Sequence, residues 1–263
     1  MPGPLATNHY QPPSQPAPQA QTPSTGIVLA AGNNERFQRH YGPDFLKQRL
    51  EIQGQPLLIR ILNQLESLAC SRLLIVAGNH SKALQELVHT HFQGAANIEW
   101  IPNTHIERGN GYSLHLGLQK LSPSEPFAHV VMSDHVYGVE FVDQVRSYTR
   151  SSSLRSTLFV DSMPEQIFDL DDATKVLHEQ GQLLDLGKSL ISYNAIDTGW
   201  FLLDHKFREI AAALAHHQRQ FGVSSLVEAY QKHYPFHCHL MHDAPWQDVD
   251  NPAMFEAAQK LFS

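Results

Sequence analysis

Short, continuously apolar runs alternate with amphipathic helical patterns through most of this chain, and that alternation limits the fold more than any other feature. Ile27-Val28-Leu29, Arg72 to Gly78, Ile98 to Ile101 and Ala128 to Asp134 read as strands covered on both faces. Between them, Pro56 stands near the first turn of one helix. A second helix runs from Ser81 to about Phe92, with Leu84, Leu87 and Val88 at helical spacing. A third leads from Gly109 to Leu121 and a fourth ends near Arg150. Strands and helices in this rhythm predict a parallel sheet with helices on both faces. After residue 150 the rhythm changes. Strands are expected at 156–161, 175–178, 183–186, 195–203 and 236–241, with Gln180-Gly181-Gln182 as a hairpin turn. Helices are expected at about 205–217, 222–232 and from Asn251. The expectation is one α/β domain over 25–263, with a mostly parallel mixed sheet and a strand-rich excursion on the substrate side.

Residues 1–24 are rich in proline and glutamine, with little to bury, and are expected to form a disordered tail. The net charge of −7 argues against a general nucleic-acid binder but leaves room for a local cationic pocket. No run approaches the roughly 18 apolar residues of a membrane helix, and no signal peptide is apparent. Cys70 and Cys238 lack metal-type spacing and suit a reducing compartment, so the cytosol is the expected location. The chain has 17 histidines, densest at His216-His217 and among His233, His237, His239 and His242. Without a matching cysteine or carboxylate pattern they read as polar surface residues.

The residues that can carry chemistry cluster after the strands. Leu29-Ala30-Ala31-Gly32 present almost no side chain beyond the first strand, so another group can approach the backbone there. Asn33 and Asn34 tolerate left-handed turn conformations. Arg36 and then Lys47 offer cations to phosphate. An ordinary strand-to-helix turn with solvated cations would read the same way. Asp134, in Ser133-Asp134-His135, stands past the fourth strand, where open α/β sheets bind ligands and where a carboxylate can hold Mg²⁺. Asp248 and Asp250 form a second acidic pair, of which only one is expected to reach a metal; Asp250 can equally cap the last helix. Lys175 and Lys188 flank the predicted hairpin, where lysines are commonly solvated. Asp197-Thr198-Gly199 interrupts an apolar strand, a local conflict typical of functional sites.

The motifs Leu29-Ala30-Ala31-Gly32 with Arg36 and Lys47, Ser133-Asp134-His135, Ala173-Thr174-Lys175-Val176, Asp197-Thr198-Gly199 and Trp246 to Pro252 occur in that order. Together they resemble the sugar-nucleotidyltransferase superfamily, and most nearly the CTP:inositol-1-phosphate cytidylyltransferases, over roughly residues 26–262. The resemblance implies a Rossmann-like, three-layer α/β/α nucleotidyltransferase fold. It implies that Leu29, Ala30, Ala31 and Gly32 lie along CTP, with Arg36 and Lys47 on its phosphates and Asn110, Gly111 and Ser113 near the base. Asp134 and Asp250 would hold Mg²⁺. Lys175, Lys188 and Asp197 would face a small phosphorylated acceptor, inositol 1-phosphate by likeness. The chain carries Asn34 and Leu46 where the family pattern has glycine and proline. Phosphocholine, a phosphonate, a sugar 1-phosphate and a molybdenum-cofactor pterin are alternative acceptors. A non-catalytic nucleotide-binding regulator is the alternative from another class. A CDP-alcohol product implies a separate, membrane-embedded phosphotransferase as a functional partner.

Overall fold

The computed structural model describes residues 23–151, 153–164 and 167–263. The chain runs β1 (Thr25–Ala30), α1 (Glu35–Tyr41), the short pair β2 (Glu51–Ile52) and β3 (Gln55–Pro56), α2 (Leu57–Ser67), β4 (Arg72–Ala77) and α3 (Ser81–His91). Then come β5 (Asn97–Pro102), α4 (Asn110–Leu118), β6 (Phe127–Met132), β7 (His135–Tyr137), α5 (Val139–Thr149) and β8 (Thr157–Asp161). The second half holds β9 (Lys175–Glu179), β10 (Gln182–Gly187), β11 (Ala195–Asp204), α6 (Phe207–His217), α7 (Val223–Gln231), β12 (His237–Met241), β13 (Trp246–Asp248) and α8 (Pro252–Leu261).

Nine strands form one sheet in the order β5-β4-β1-β6-β11-β8-β12-β10-β9. The first four are mutually parallel, β11 runs antiparallel between β6 and β8, and β12 is parallel to β8. Every residue of β1 is buried, because its alternating side chains face two separate layers. Ile27 and Leu29 pack with Leu114 and Leu118 of α4 and with Phe207 and Leu226 of α6 and α7. Val28 and Ala30 pack with Leu62 and Leu65 of α2, Leu84 of α3 and Phe141 of α5. That sandwich is the expected three-layer fold, with a mixed sheet that is parallel through its first half. From β1 the chain adds β4 and β5 on one side and then returns to add β6 on the other. The switch between β1 and β6 opens a crevice at their carboxyl ends, the general ligand position in such sheets.

Several elements depart from the sequence expectation. The segment after β1 contains a helix, α1, because Phe37 finds burial against Ile52, Leu57 and Val249 in a third small core. β7 and β13, too short for any periodic pattern, pair antiparallel with His135 opposite Asp248. Of the expected tail, residues 1–22 lie outside the described residues. Pro23 and Ser24 already belong to the fold, since the Cys70 thiol donates to the Pro23 carbonyl and the Arg72 amide to that of Ser24. The hairpin turn falls at Gln180 and Gly181, both with positive φ (50° and 76°), as a tight turn between β9 and β10 requires.

Candidate active site

The crevice at the switch point gathers charged residues from distant parts of the chain. The Lys47 ammonium lies 2.7 Å from an Asp134 carboxylate oxygen and 2.5 Å from one of Asp250. Arg36 stands 3.6 Å from the other oxygen of Asp250 and donates to Asp172 at 2.6 Å. Lys188 donates to the second oxygen of Asp172 at 2.5 Å. Asp134, Lys47, Asp250, Arg36, Asp172 and Lys188 thus form a line of alternating charge across the cleft. Its two ends differ in solvation. The Lys47 side chain is 8% exposed, whereas those of Arg36 and Lys188 are 46% and 61% exposed.

Local structure explains the convergence. Asp134 stands two residues past the end of β6, and the Val249 amide donates to its carbonyl at 2.8 Å, which continues the β7–β13 pairing and carries Asp250 to the same point. Asn251, not Asp250, caps α8 by accepting from the Met254 amide, so Asp250 is free to pair with the cations. Lys47 sits in a single 3-10 turn whose neighbours Leu46 and Gln48 are both buried. Burial opposes the charge on Lys47, yet Asp134 and Asp250 outweigh it and raise its pKa. Burial likewise opposes ionisation of Asp134, but Lys47 and the His135 ring hold its carboxyl far below the usual carboxylate range. His135 donates from Nδ1 to Asp134 at 2.8 Å and stacks on Trp246.

The other expected residues fall as follows. Leu29, Ala30 and Ala31 are buried at the end of β1, and a side chain at Gly32 would meet open space. Asn34 takes the left-handed conformation (φ 58°) that a glycine there would supply. Asn110 lines the cleft while accepting from the Val223 amide at the start of α7. A Cβ at Gly111 would sit 2.5 Å from the Gly222 carbonyl, so that contact requires glycine. Ser113 is buried and accepts from Asn103. Lys175 lies outside the charged line: its ammonium donates to the carbonyls of Asp171, Ala173 and Lys188, tying two loops together. Asp197 lines the cleft at an irregularity in β11 where Gly199 has φ 75°. A Cβ there would meet the His135 ring at 2.6 Å. Burial pushes the Asp197 carboxyl up to about 6, against the pull of the Gly199 amide and His135.

One expectation is sharpened and one is corrected. Asp248 and Asp250 both line the cleft. Residues two apart on an extended chain share a face, while Val249 between them points into the core. The histidines are not all at the surface: His216 and His217 are exposed, but His129 is wholly buried between β1 and β11 and accepts from the Trp200 indole. Burial lowers its pKa to about 3. Asp172, His135 and Asp248 went unassigned. Asp172 belongs to the acidic run Asp169 to Asp172, which by composition alone reads as a solvated loop.

Asp134 and Asp250 present carboxylate oxygens to one positive charge from two elements. That arrangement suits a hard divalent cation, which needs one or two carboxylates and takes its other ligands from water and phosphate. Among the described residues no group of three His, Cys, Asp or Glu converges into a metal cage.

The fold is that of a three-layer α/β/α sheet protein with its cleft at the switch point, and a family model described as the MobA-like NTP transferase domain matches residues 26–164. The chain belongs to that family. It is 32% identical over 238 residues to a protein of Aquifex aeolicus (strain VF5) named bifunctional IPC transferase and DIPP synthase, covering 90% of this chain and 51% of the relative. A protein of the same name from Thermococcus kodakarensis is 29% identical over 241 residues, covering 91% of this chain and 50% of that one. The chain therefore spans about half the length of these relatives. Among solved structures, an inositol-1-phosphate CTP transferase from T. maritima superposes with a TM-score of 0.78 at 19% identity, over 92% of this chain and 97% of the other. A putative glucose-1-phosphate thymidylyltransferase from Bacillus anthracis gives 0.75 at 14% identity, over 90% and 94%. These likenesses establish the fold.

Proposed function

We propose that the chain is a Mg²⁺-dependent cytidylyltransferase that joins CTP to a phosphorylated alcohol, inositol 1-phosphate being the preferred acceptor, and releases pyrophosphate. The observation that carries this reading is the line of alternating charge at the switch point: Asp134, Asp250, Asp172 and Lys188 line a cleft of about 370 Å³, and Lys47 and Arg36 pair with those carboxylates. The names of the relatives support the acceptor.

In this reaction an oxygen of the acceptor phosphate attacks the α-phosphorus and the pyrophosphate oxygen departs. The attacking phosphate is already anionic near neutral pH, so no residue need remove a proton. Mg²⁺ held by Asp134 and Asp250 would neutralise charge on the triphosphate. Lys47 and Arg36 bind the leaving phosphates, and Lys188 draws the acceptor phosphate to the far wall. Positioning and fixed charge supply the acceleration. Asp197 and Asp248 accept hydrogen bonds from hydroxyl groups of a polyol. The loop of Ala30, Ala31 and Gly32 leaves room for the nucleotide beside the backbone, and Asn110 flanks the base.

The consumer of a CDP-alcohol is a membrane-embedded phosphotransferase, which we propose as the functional partner. No helix among the described residues is long and apolar enough to cross a membrane. The buried free thiols Cys70 and Cys238 suit a reducing compartment, and we assign the reaction to the cytosol. Residues 25–263 act as one nucleotidyltransferase domain in this reading. The test is pyrophosphate release with Mg²⁺, each of the four nucleoside triphosphates and a panel of phosphorylated alcohols. Release with CTP and inositol 1-phosphate is expected; release with CTP and a different acceptor replaces the substrate, and silence across the panel rejects the enzyme.

A further inference from the structure

Asp172 is the member of the charged line that the reaction itself does not use. Each of its carboxylate oxygens faces a different cation: Oδ2 accepts from Arg36 on α1 and Oδ1 from Lys188 beyond β10. Two oxygens of one anion spanning two cations from separate segments is the geometry of a bridging phosphate. The contact is supported from behind. Lys175, itself buried, donates to the carbonyls on either side of Asp172 and to the carbonyl of Lys188, so the carboxylate and one of its cations are held in register. Asp172 and Lys188 line the same cleft as Asp134 and Asp250.

We propose that Asp172 is an internal stand-in for a substrate phosphate, an autoinhibitory anion that bridges Arg36 and Lys188 between turnovers and that an incoming phosphate must displace. The inference rests on the reading of Arg36 and Lys188 as phosphate-binding cations. The exchange is feasible because this end of the line is open: exposed ion pairs contribute only a factor of roughly two to five each. A phosphate with more charge and more acceptor oxygens overcomes that, whereas a singly charged carboxylate does not. Asp172 therefore also selects for multiply charged ligands.

Calorimetric titration of inorganic pyrophosphate into the full chain in Mg²⁺ buffer tests the proposal, alongside Asp172→Asn and Asp172→Glu. The Asn variant should bind about fivefold more tightly, the loss of a competing anion between two exposed cations. Its affinity should also fall more steeply with salt, because one more uncompensated positive charge faces the ligand. The Glu variant, which keeps the anion, should stay within about twofold of the parent on the same scale. Equal or weaker binding by Asp172→Asn at unchanged melting temperature overturns the proposal. Absence of pyrophosphate binding in every variant also overturns it, since the cations then form no phosphate site. Pyrophosphate release from CTP and inositol 1-phosphate separates the two claims. Turnover without an affinity gain rejects the role of Asp172 alone. Tighter pyrophosphate without turnover upholds that role and rejects the assigned substrates.

Discussion

The two ends of the charged line are built differently. At one end Lys47 is enclosed between Asp134 and Asp250, on loops that follow β6 and β13 and are anchored by the β7–β13 pair. At the other, Arg36, Asp172 and Lys188 pair directly at the solvent-exposed rim, on a short helix and on loops of the strand-rich excursion. A buried ion pair is costly to break, because losing one partner leaves the other charged and poorly solvated. An exposed pair can be exchanged at little cost. The cleft thus has a fixed end, where charge geometry is set by the fold, and an exposed end, where ion pairs can be exchanged at little cost.

The largest test of that difference is at the fixed end. Lys47→Ala should lower stability by about 2–4 kcal/mol in chemical denaturation, the cost of unpairing partly buried carboxylates. A loss below about 0.5 kcal/mol would place Lys47 with the exchangeable cations. Asp134→Ala should reduce turnover by a factor of at least about a hundred, as removal of a key electrostatic group does. Near-normal turnover would reject Asp134 as a proposed metal ligand.

Asp197 lines the same cleft, and burial pushes its carboxyl up to about 6 from an ordinary 3.8. The folded protein therefore keeps a proton that the unfolded chain releases, and slopes of stability against pH follow bound protons. This contribution is present below about pH 4 and is lost as the pH rises through 6. Asp197→Asn should be more stable than the parent by about 1–3 kcal/mol at pH 7.5 and no more stable at pH 4. A gain of equal size at both values would trace the effect to packing. The smallest effect belongs to the exposed end: Lys188→Ala should alter stability by less than about 0.5 kcal/mol while raising KM for the acceptor. A larger stability loss would make the two ends alike.

Legibility in the sequence followed the length of the pattern. Continuous apolar runs such as Arg72 to Ala77 and helical faces such as Leu84, Leu87 and Val88 repeat often enough to announce their structure. β7 and β13, with three residues each, carry no period, although they decide how close Asp250 comes to Asp134. Asp197 and Gly199 were visible because they broke a local rule in β11. Asp172 broke none, since an acidic loop residue is unremarkable until its partners are known. Lys175, by contrast, has the charge expected for a phosphate ligand but satisfies three backbone carbonyls.

By itself the sequence determined the alternation of buried strands and amphipathic helices, the open small-residue loop after β1 and the charged residue types available to a cleft. Those properties depend on neighbours within a few residues, where periodicity and side-chain size act directly. Tertiary structure alone decided which charges meet. Lys47 and Asp250, or Arg36 and Asp172, are joined by sheet order and by the return of the chain through β12 and β13. Coulomb interactions depend on distance in space and on exclusion of water, and neither is written in sequence separation.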